Sequence, residues 1–245
     1  MYSNSNKNST KNAPKFFVST FNAQSISNDS YLLEFENALK EVKYDVIGLS
    51  EVKRIGEGQI QLKDFTLFYY GKERRRGTVG FAIKSKWLTN IVSCKNFSDR
   101  IISLKMKFTT GTLGIIQSYA PTSSSSENEI KDFYDLLSKA TDEMSNETWL
   151  IILGDFNAKI GVPDVSENDV AGQFGIGERN DRGNMLMNFS FRTPNLKSAQ
   201  VEDGLGIWEE HGMKLTTFSR GNHRKTSLLT LALSIISSSI LIIEC

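Results

Sequence analysis

Four apolar runs that each stop on a polar residue constrain this chain more than any other feature. Phe16 to Phe21 ends at Asn22, Asp45 to Ser50 at Glu51, Leu113 to Ser118 at Tyr119, and Thr148 to Leu153 at Gly154-Asp155-Phe156-Asn157-Ala158. Short apolar runs bounded by turn formers read as buried strands. A strand that stops at a glycine and then offers a carboxylate and a carboxamide two residues apart points both side chains to one side, at the sheet's edge. In sheets covered by helices, ligands gather beyond strand ends, so the four polar residues are expected to converge.

Helical patterns separate these runs. Asp29 to Val42 places Leu32, Leu33, Phe35, Leu39 and Val42 on one stripe behind an Asn28 or Asp29 cap. Glu127 to Met144 turns Ile130, Phe133, Leu136 and Leu137 inward, and Asn184 to Phe191 predicts a short helix after a long irregular loop from Gly161 to Gly183. Phe65 to Tyr70 and Val79 to Ile83 predict strands around a basic turn, Gly71 to Gly77. Arg100 to Phe108 alternates like a strand with one wet face and is expected to pair with Leu113 to Ser118 across Thr109-Thr110-Gly111. Helices alternating with strands, some in hairpins, predict an α/β fold of mixed sheets with helices outside.

A chain of 245 residues is long enough for one substantial core. Its 29 Lys and Arg nearly balance 28 Asp and Glu, so any nucleic-acid contact must come from a local patch. Two cysteines, Cys94 and Cys245, make neither a disulfide scaffold nor a thiolate zinc site, so a metal would be held by oxygen. Met1 to Lys15 lacks the apolar region of a signal peptide and is expected to be a disordered arm, with a nuclear or cytoplasmic location. Trp87, Trp149 and Trp208 are expected in the core or at an interface.

These residue types suit phosphodiester chemistry, which needs charge neutralised on phosphoryl oxygens, a water activated and a leaving oxygen assisted. Glu51 suits a Mg²⁺ ligand, since that ion takes one or two carboxylates plus water. Asp155 could orient or deprotonate the attacking water, Asn22 and Asn157 could donate to phosphate oxygens or position the acids, and Tyr119 could set its hydroxyl against the phosphate. Taken singly the same residues are ordinary: Gly, Asp and Asn form turns, and a lone Glu is usually a solvated acid.

Together the motifs Ser19-Thr20-Phe21-Asn22-Ala23, Ile47-Gly48-Leu49-Ser50-Glu51-Val52, Ser118-Tyr119-Ala120-Pro121 and Leu153-Gly154-Asp155-Phe156-Asn157-Ala158 resemble, in order, the endonuclease/exonuclease/phosphatase family. The nearest look is to endonuclease domains of non-LTR retrotransposons and the craniofacial development protein 2-like proteins derived from them. Asp99-Arg100-Ile101 and Gly177-Glu178-Arg179-Asn180-Asp181-Arg182-Gly183 add to the likeness, which covers roughly Phe16 to Lys225. The resemblance implies a four-layer α/β sandwich, two mixed sheets face to face with helices outside, and Mg²⁺-dependent nicking of DNA, with Mn²⁺ as a substitute. It implies Glu51 and Asn22 at the metal, Asp155, Asn157, Tyr119 and Asn22 in catalysis, and DNA as partner. Arg75 and Arg76 in the basic turn, with Asn180 and Arg182 in the glycine-rich loop, are candidate DNA contacts, although a charge run is usually a solvated turn. Some members carry an acid two residues after the first asparagine; here Gln24 stands there.

The family pattern ends with an Asp inside a strand and then a Ser-Asp-His, and neither occurs here. Thr226 to Ile243 is uncharged, and His211 and His223 both precede the place where the histidine should fall. A frameshifted or mispredicted 226–245 tail, a membrane anchor weakened by its serines and threonines, and a strand pair filling the missing family strands are the readings of this segment. The expectation is an impaired enzyme, or a domain that binds nucleic acid or protein without catalysis.

Overall fold

The computed structural model of the chain describes residues 16–73, 77–147, 149–167, 171 and 177–193, and the backbone of 196–198, 201–202, 205–210, 213–218 and 241–244. In chain order the elements are β1 (Phe16–Asn22), α1 (Asp29–Leu39), β2 (Val46–Ser50), β3 (Gly56–Gln61), β4 (Phe65–Gly71), β5 (Val79–Lys84), β6 (Ile91–Ser98), β7 (Ile101–Lys107), β8 (Thr112–Tyr119), α2 (Glu127–Glu143), β9 (Trp149–Asp155) and α3 (Asp181–Arg192). The short strands β10 (Leu196–Ser198), β11 (Val201–Glu202), β12 (Leu205–Glu210), β13 (Met213–Phe218) and β14 (Leu241–Glu244) follow.

Among the described residues the strands form an eight-stranded sheet, β11-β12-β13-β1-β2-β5-β4-β3, and a six-stranded sheet, β10-β14-β9-β8-β7-β6. Each is mixed: β1 runs parallel to β2 and β13, and β8 parallel to β9, with the remaining pairs antiparallel. Strand alternation sends one set of side chains between the sheets. Phe16, Val18, Val46, Val79, Phe81 and Ile83 from the first sheet meet Ile102, Leu104, Met106, Leu113, Ile115, Ile151 and Leu153 from the second. Burying each such side chain contributes roughly 1.5–3 kcal/mol before entropy is counted.

The opposite faces are covered by helices. Leu32, Phe35 and Leu39 of α1 pack on Ile47, Leu49, Leu67 and Ala82. Phe133, Leu137 and Ala140 of α2, with Leu186 and Phe189 of α3, pack on Ile101, Ile116, Leu150 and Ile152. The result is a four-layer α/β sandwich. Asn28 caps α1 by accepting from the Tyr31 N–H, and Ser126 caps α2 by accepting from the Glu129 N–H.

Several sequence expectations need correction. The face of β7 expected to be wet carries Ile101 and Ser103, both buried, because α2 lies across it. Further along that face Lys105 pairs with the buried carboxylate of Glu147. Strands β3 and β6 are unheralded in the sequence; each is a sheet edge, held by pairing with β4 and β7. The short helix begins at Asp181, three residues earlier than the apolar pattern indicated.

Trp87 is half-buried, edge-on to Phe16 and Phe108, and its indole N–H donates to the buried Asp45 at 2.7 Å. Trp149 packs against the same core. The side chain of Trp208, residues 1–15, and the candidate DNA contacts Arg75 and Arg76 lie outside the described residues. Of the apolar tail, Leu241–Glu244 is a strand between β9 and β10. Among the described residues no helix is long and apolar enough to cross a membrane.

Candidate active site

Two parallel strand pairs, one from each sheet, end at the same rim. Asn22 lies opposite Ser50 in the β1/β2 register, and Tyr119 lies opposite Asp155 in the β8/β9 register. Parity does the rest. Asn22 continues the inward series Phe16, Val18, Thr20, Tyr119 continues Leu113, Ile115, Gln117, and Asp155 continues Ile151, Leu153. The last inward position of each strand is therefore polar and faces across the gap between the sheets.

The side chains meet there. Asn22 Nδ2 donates to Glu51 Oε1 at 2.9 Å and to Asp155 Oδ2 at 3.3 Å. The Tyr119 hydroxyl donates to the same Glu51 oxygen at 3.1 Å. Lys53 Nζ stands 3.2 Å from Glu51 Oε2, an ion pair open enough to solvent for screening to weaken it. The structure thus brings Asn22, Glu51, Tyr119 and Asp155 together from four distant stretches of chain.

Backbone strain helps hold them. Glu51 and Asn157, each just beyond a strand, take left-handed conformations with φ of 54° and 48°. Such residues cost about 1–3 kcal/mol each and gather at functional sites. Gly154 has φ 152°, and a Cβ there would overlap the carbonyl and hydroxyl of Ser118. That close approach of β9 to β8 is why glycine precedes Asp155.

The electrostatics follow from burial. Asp155 is raised above the ordinary carboxylate range, chiefly by desolvation; hydrogen bonds from the Asn157 N–H and Asn22 act against this, and the charge of Glu51 adds to it. The Tyr119 phenol is also raised, by burial first and then by Glu51, so it stays a neutral donor across the physiological range.

The two asparagines are held by bonds of their own. Asn22 Oδ1 accepts from the Gln24 N–H at 3.0 Å while Nδ2 faces both acids, so partners on each side fix which end of the amide points at the cluster. In this arrangement the Asn22 amide acts as a clamp on the two acids. Asn157 likewise spends its amide on the Ala120 carbonyl at 2.8 Å, tying the ends of β8 and β9. Its backbone N–H supports Asp155 at 3.0 Å.

The glycine-rich loop is also more structural than its composition indicated. Asn180 is the N-cap of α3, accepting from the N–H groups of Gly183 and Lys159 at 2.8 and 3.0 Å. Arg182 donates to the Ser125 carbonyl at 3.1 Å, and Arg179 makes a two-pronged contact with Glu167. Gly183 packs where a Cβ would overlap the Lys159 carbonyl. Sequence reasoning gave Arg100 no role. It donates to the Tyr119 carbonyl at 3.3 Å, pairs with Glu129 at 2.9 Å and sits 5.6 Å from the centre of the Tyr119 ring. Its signal was the Asp99-Arg100-Ile101 motif at the head of β7.

The donor set fits a hard divalent cation. Glu51 and Asp155 offer oxygens within reach of one amide, and among the described residues no cluster of three or more His, Cys, Asp or Glu gathers to make a closed cage.

No family model matches the chain. Among solved structures, the 3′ phosphatase NExo from Neisseria bound to product DNA hairpin has the same fold, with a TM-score of 0.50 and 14% identity over 92% of this chain and 84% of that one. The fold is that of the endonuclease/exonuclease/phosphatase proteins, whose motifs this chain resembles. The sequence relationship is to craniofacial development protein 2. The proteins of that name from Bos taurus and Tragulus javanicus are each 30% identical over 176 residues, 71% of this chain. The match covers 29% and 30% of their lengths, so the chain corresponds to a minor part of those relatives.

Proposed function

We propose that the rim formed by Asn22, Glu51, Tyr119 and Asp155 is the active site of a metal-dependent phosphodiesterase acting on DNA, of the endonuclease type and descended from a mobile element. The observation that carries this reading is the single cluster in which two carboxylates, an amide and a phenol from both sheets share hydrogen bonds. The motifs resembling retrotransposon endonucleases support the choice of DNA, as does a structural neighbour that binds it.

Glu51 and Asp155 are the residues that would hold Mg²⁺, with Mn²⁺ as substitute. The ion would neutralise charge building on the phosphoryl oxygens. Asp155 would orient the attacking water beside the ion. The neutral Tyr119 phenol suits donation to a phosphate oxygen once substrate competes for its bond to Glu51. Asn22 keeps the two acids at a set separation.

The missing Ser-Asp-His removes the expected general acid, so we infer a slow enzyme. A second reading, binding without catalysis, rests on the same missing motif. Purified protein incubated with supercoiled plasmid and Mg²⁺ tests both. Nicking that disappears in Asp155→Ala and Glu51→Ala supports hydrolysis; retarded plasmid without nicking supports the binding domain.

A further inference from the structure

The candidate site is split, with Asn22 and Glu51 on one sheet and Tyr119 and Asp155 on the other, so something must set the distance between its halves. Directly beneath it lies a layer in which buried polar side chains bond from one sheet to the other. Gln117 is fully buried one inward step below Tyr119, and Thr20 is buried one step below Asn22. The Thr20 hydroxyl donates to Gln117 Oε1 at 3.1 Å, from one sheet to the other. Gln117 Nε2 donates to the Ser118 carbonyl at 3.3 Å, on its own sheet.

Gly48 completes the arrangement. It is the inward residue of β2 one step below Ser50, and a Cβ there would overlap the Gln117 carboxamide, with the amide carbon 2.8 Å away. The glycine leaves a slot that the Gln117 side chain fills. A buried amide between two sheets is costly unless bonded, and a bonded one holds its neighbours at a defined spacing. Leucine or methionine would fill the volume without specifying that spacing.

We propose that Gln117, seated on Gly48 and held by Thr20, is a positioning residue that sets the separation of the two half-sites and so tunes the cation affinity of the Glu51 and Asp155 pair. This rests on the metal-site reading above. It goes beyond that reading by assigning function to a residue that touches neither ion nor substrate.

The test uses Gln117→Met, which keeps the volume and loses the bond, Thr20→Val, and the double variant. Mn²⁺ affinity is measured by titration calorimetry or electron paramagnetic resonance. Each single variant should weaken Mn²⁺ binding about threefold to tenfold, the range that one net hydrogen bond supports, and the double should weaken it no further. A second readout needs no metal: the side-chain amide protons of Asn22, which bridge both halves, should shift and exchange faster in Gln117→Met. Variants that fold less stably yet bind Mn²⁺ and protect the Asn22 amide like the parent would overturn the proposal, leaving Gln117 a core residue. If the parent binds no Mn²⁺, or binds it equally well after Glu51→Ala, the metal-site reading fails instead. The Asn22 resonances then decide the positioning role alone.

Discussion

The Tyr119 hydroxyl reaches from one sheet to Glu51 Oε1 on the other, 3.1 Å away, and Asn22 donates to that same oxygen at 2.9 Å. One carboxylate oxygen thus accepts from a residue of each sheet. Closing the rim therefore depends on the two sheets being in register with each other, which no local stretch of sequence specifies.

Tyr119→Phe removes only the hydroxyl. The ring stays packed against the central core and beside Arg100, so stability should change by no more than about 1 kcal/mol. Plasmid nicking should fall roughly 10- to 100-fold, the cost typical of losing a partner to a metal-ligating group. Thermal melting alongside a nicking assay separates the two effects, and a large loss of melting temperature with unchanged nicking would contradict the assignment.

Asp155→Asn should stabilise the protein at neutral pH while lowering nicking by roughly 100-fold or more. Burial raises the folded-state value of Asp155 above its ordinary 3.8, so folding favours the protonated acid and ionisation costs stability as pH rises through the folded value. An asparagine carries no such penalty; its one oxygen keeps the bond from the Asn157 N–H at 3.0 Å and it gives up the longer 3.3 Å bond from Asn22. The advantage of the variant should therefore be full at pH 7 and vanish below about pH 3.8, which denaturation at the two pH values would reveal.

The ends of β1, β2, β8 and β9 could be read from sequence because a buried parallel strand is an uninterrupted apolar run, and its stop is abrupt. Asn22, Glu51, Tyr119 and Asp155 mark those stops. The edges could not be read in this way. Strand β3 is Gly56-Glu57-Gly58-Gln59-Ile60-Gln61, mostly exposed, and exists because β4 offers it a ladder of hydrogen bonds. The covered face of β7 resembled a wet one because Ser103, Lys105 and Lys107 are polar, and only α2 packing across it tells otherwise. Asn180 looked like a loop residue for the same chemical reason that makes it a good cap: its side chain bonds backbone N–H groups. Which end of the Asn22 amide faces the acids was beyond sequence altogether, since Gln24 and the two carboxylates decide it together.

The Arg179 contact with Glu167 should make the loop before α3 acid-labile. The Arg179 guanidinium, hydrogen-bonded through both of its terminal nitrogens, pulls Glu167 down to about 2 from 4.5. A depressed acid stabilises the fold in full above its unfolded value and loses that contribution as pH falls, here between about 4.5 and 2. Arg179→Met should abolish this dependence. At neutral pH it should raise amide exchange at Lys159 and Gly183, whose N–H groups bond Asn180, by roughly 5- to 30-fold, corresponding to one or two kcal/mol. Exchange unchanged at both amides would mean that the cap stands without the ion pair.

Asn22→Asp replaces the clamp with a third carboxylate facing Glu51 and Asp155. The shared donor is lost, and three acids within hydrogen-bonding distance repel one another, so without divalent cation stability should fall by roughly 1–3 kcal/mol. The same crowding of negative charge is what a cation relieves. Added Mn²⁺ binds the folded state alone and should raise the melting temperature of Asn22→Asp more than that of the parent, while Asn22→Ala, which adds no charge, should gain no such excess. Thermal melting of the three proteins across a Mn²⁺ series measures this. An equal Mn²⁺ response in Asn22→Asp and Asn22→Ala would mean that the cation does not sit among these acids, and with it would go the assignment of Glu51 and Asp155 as its holders.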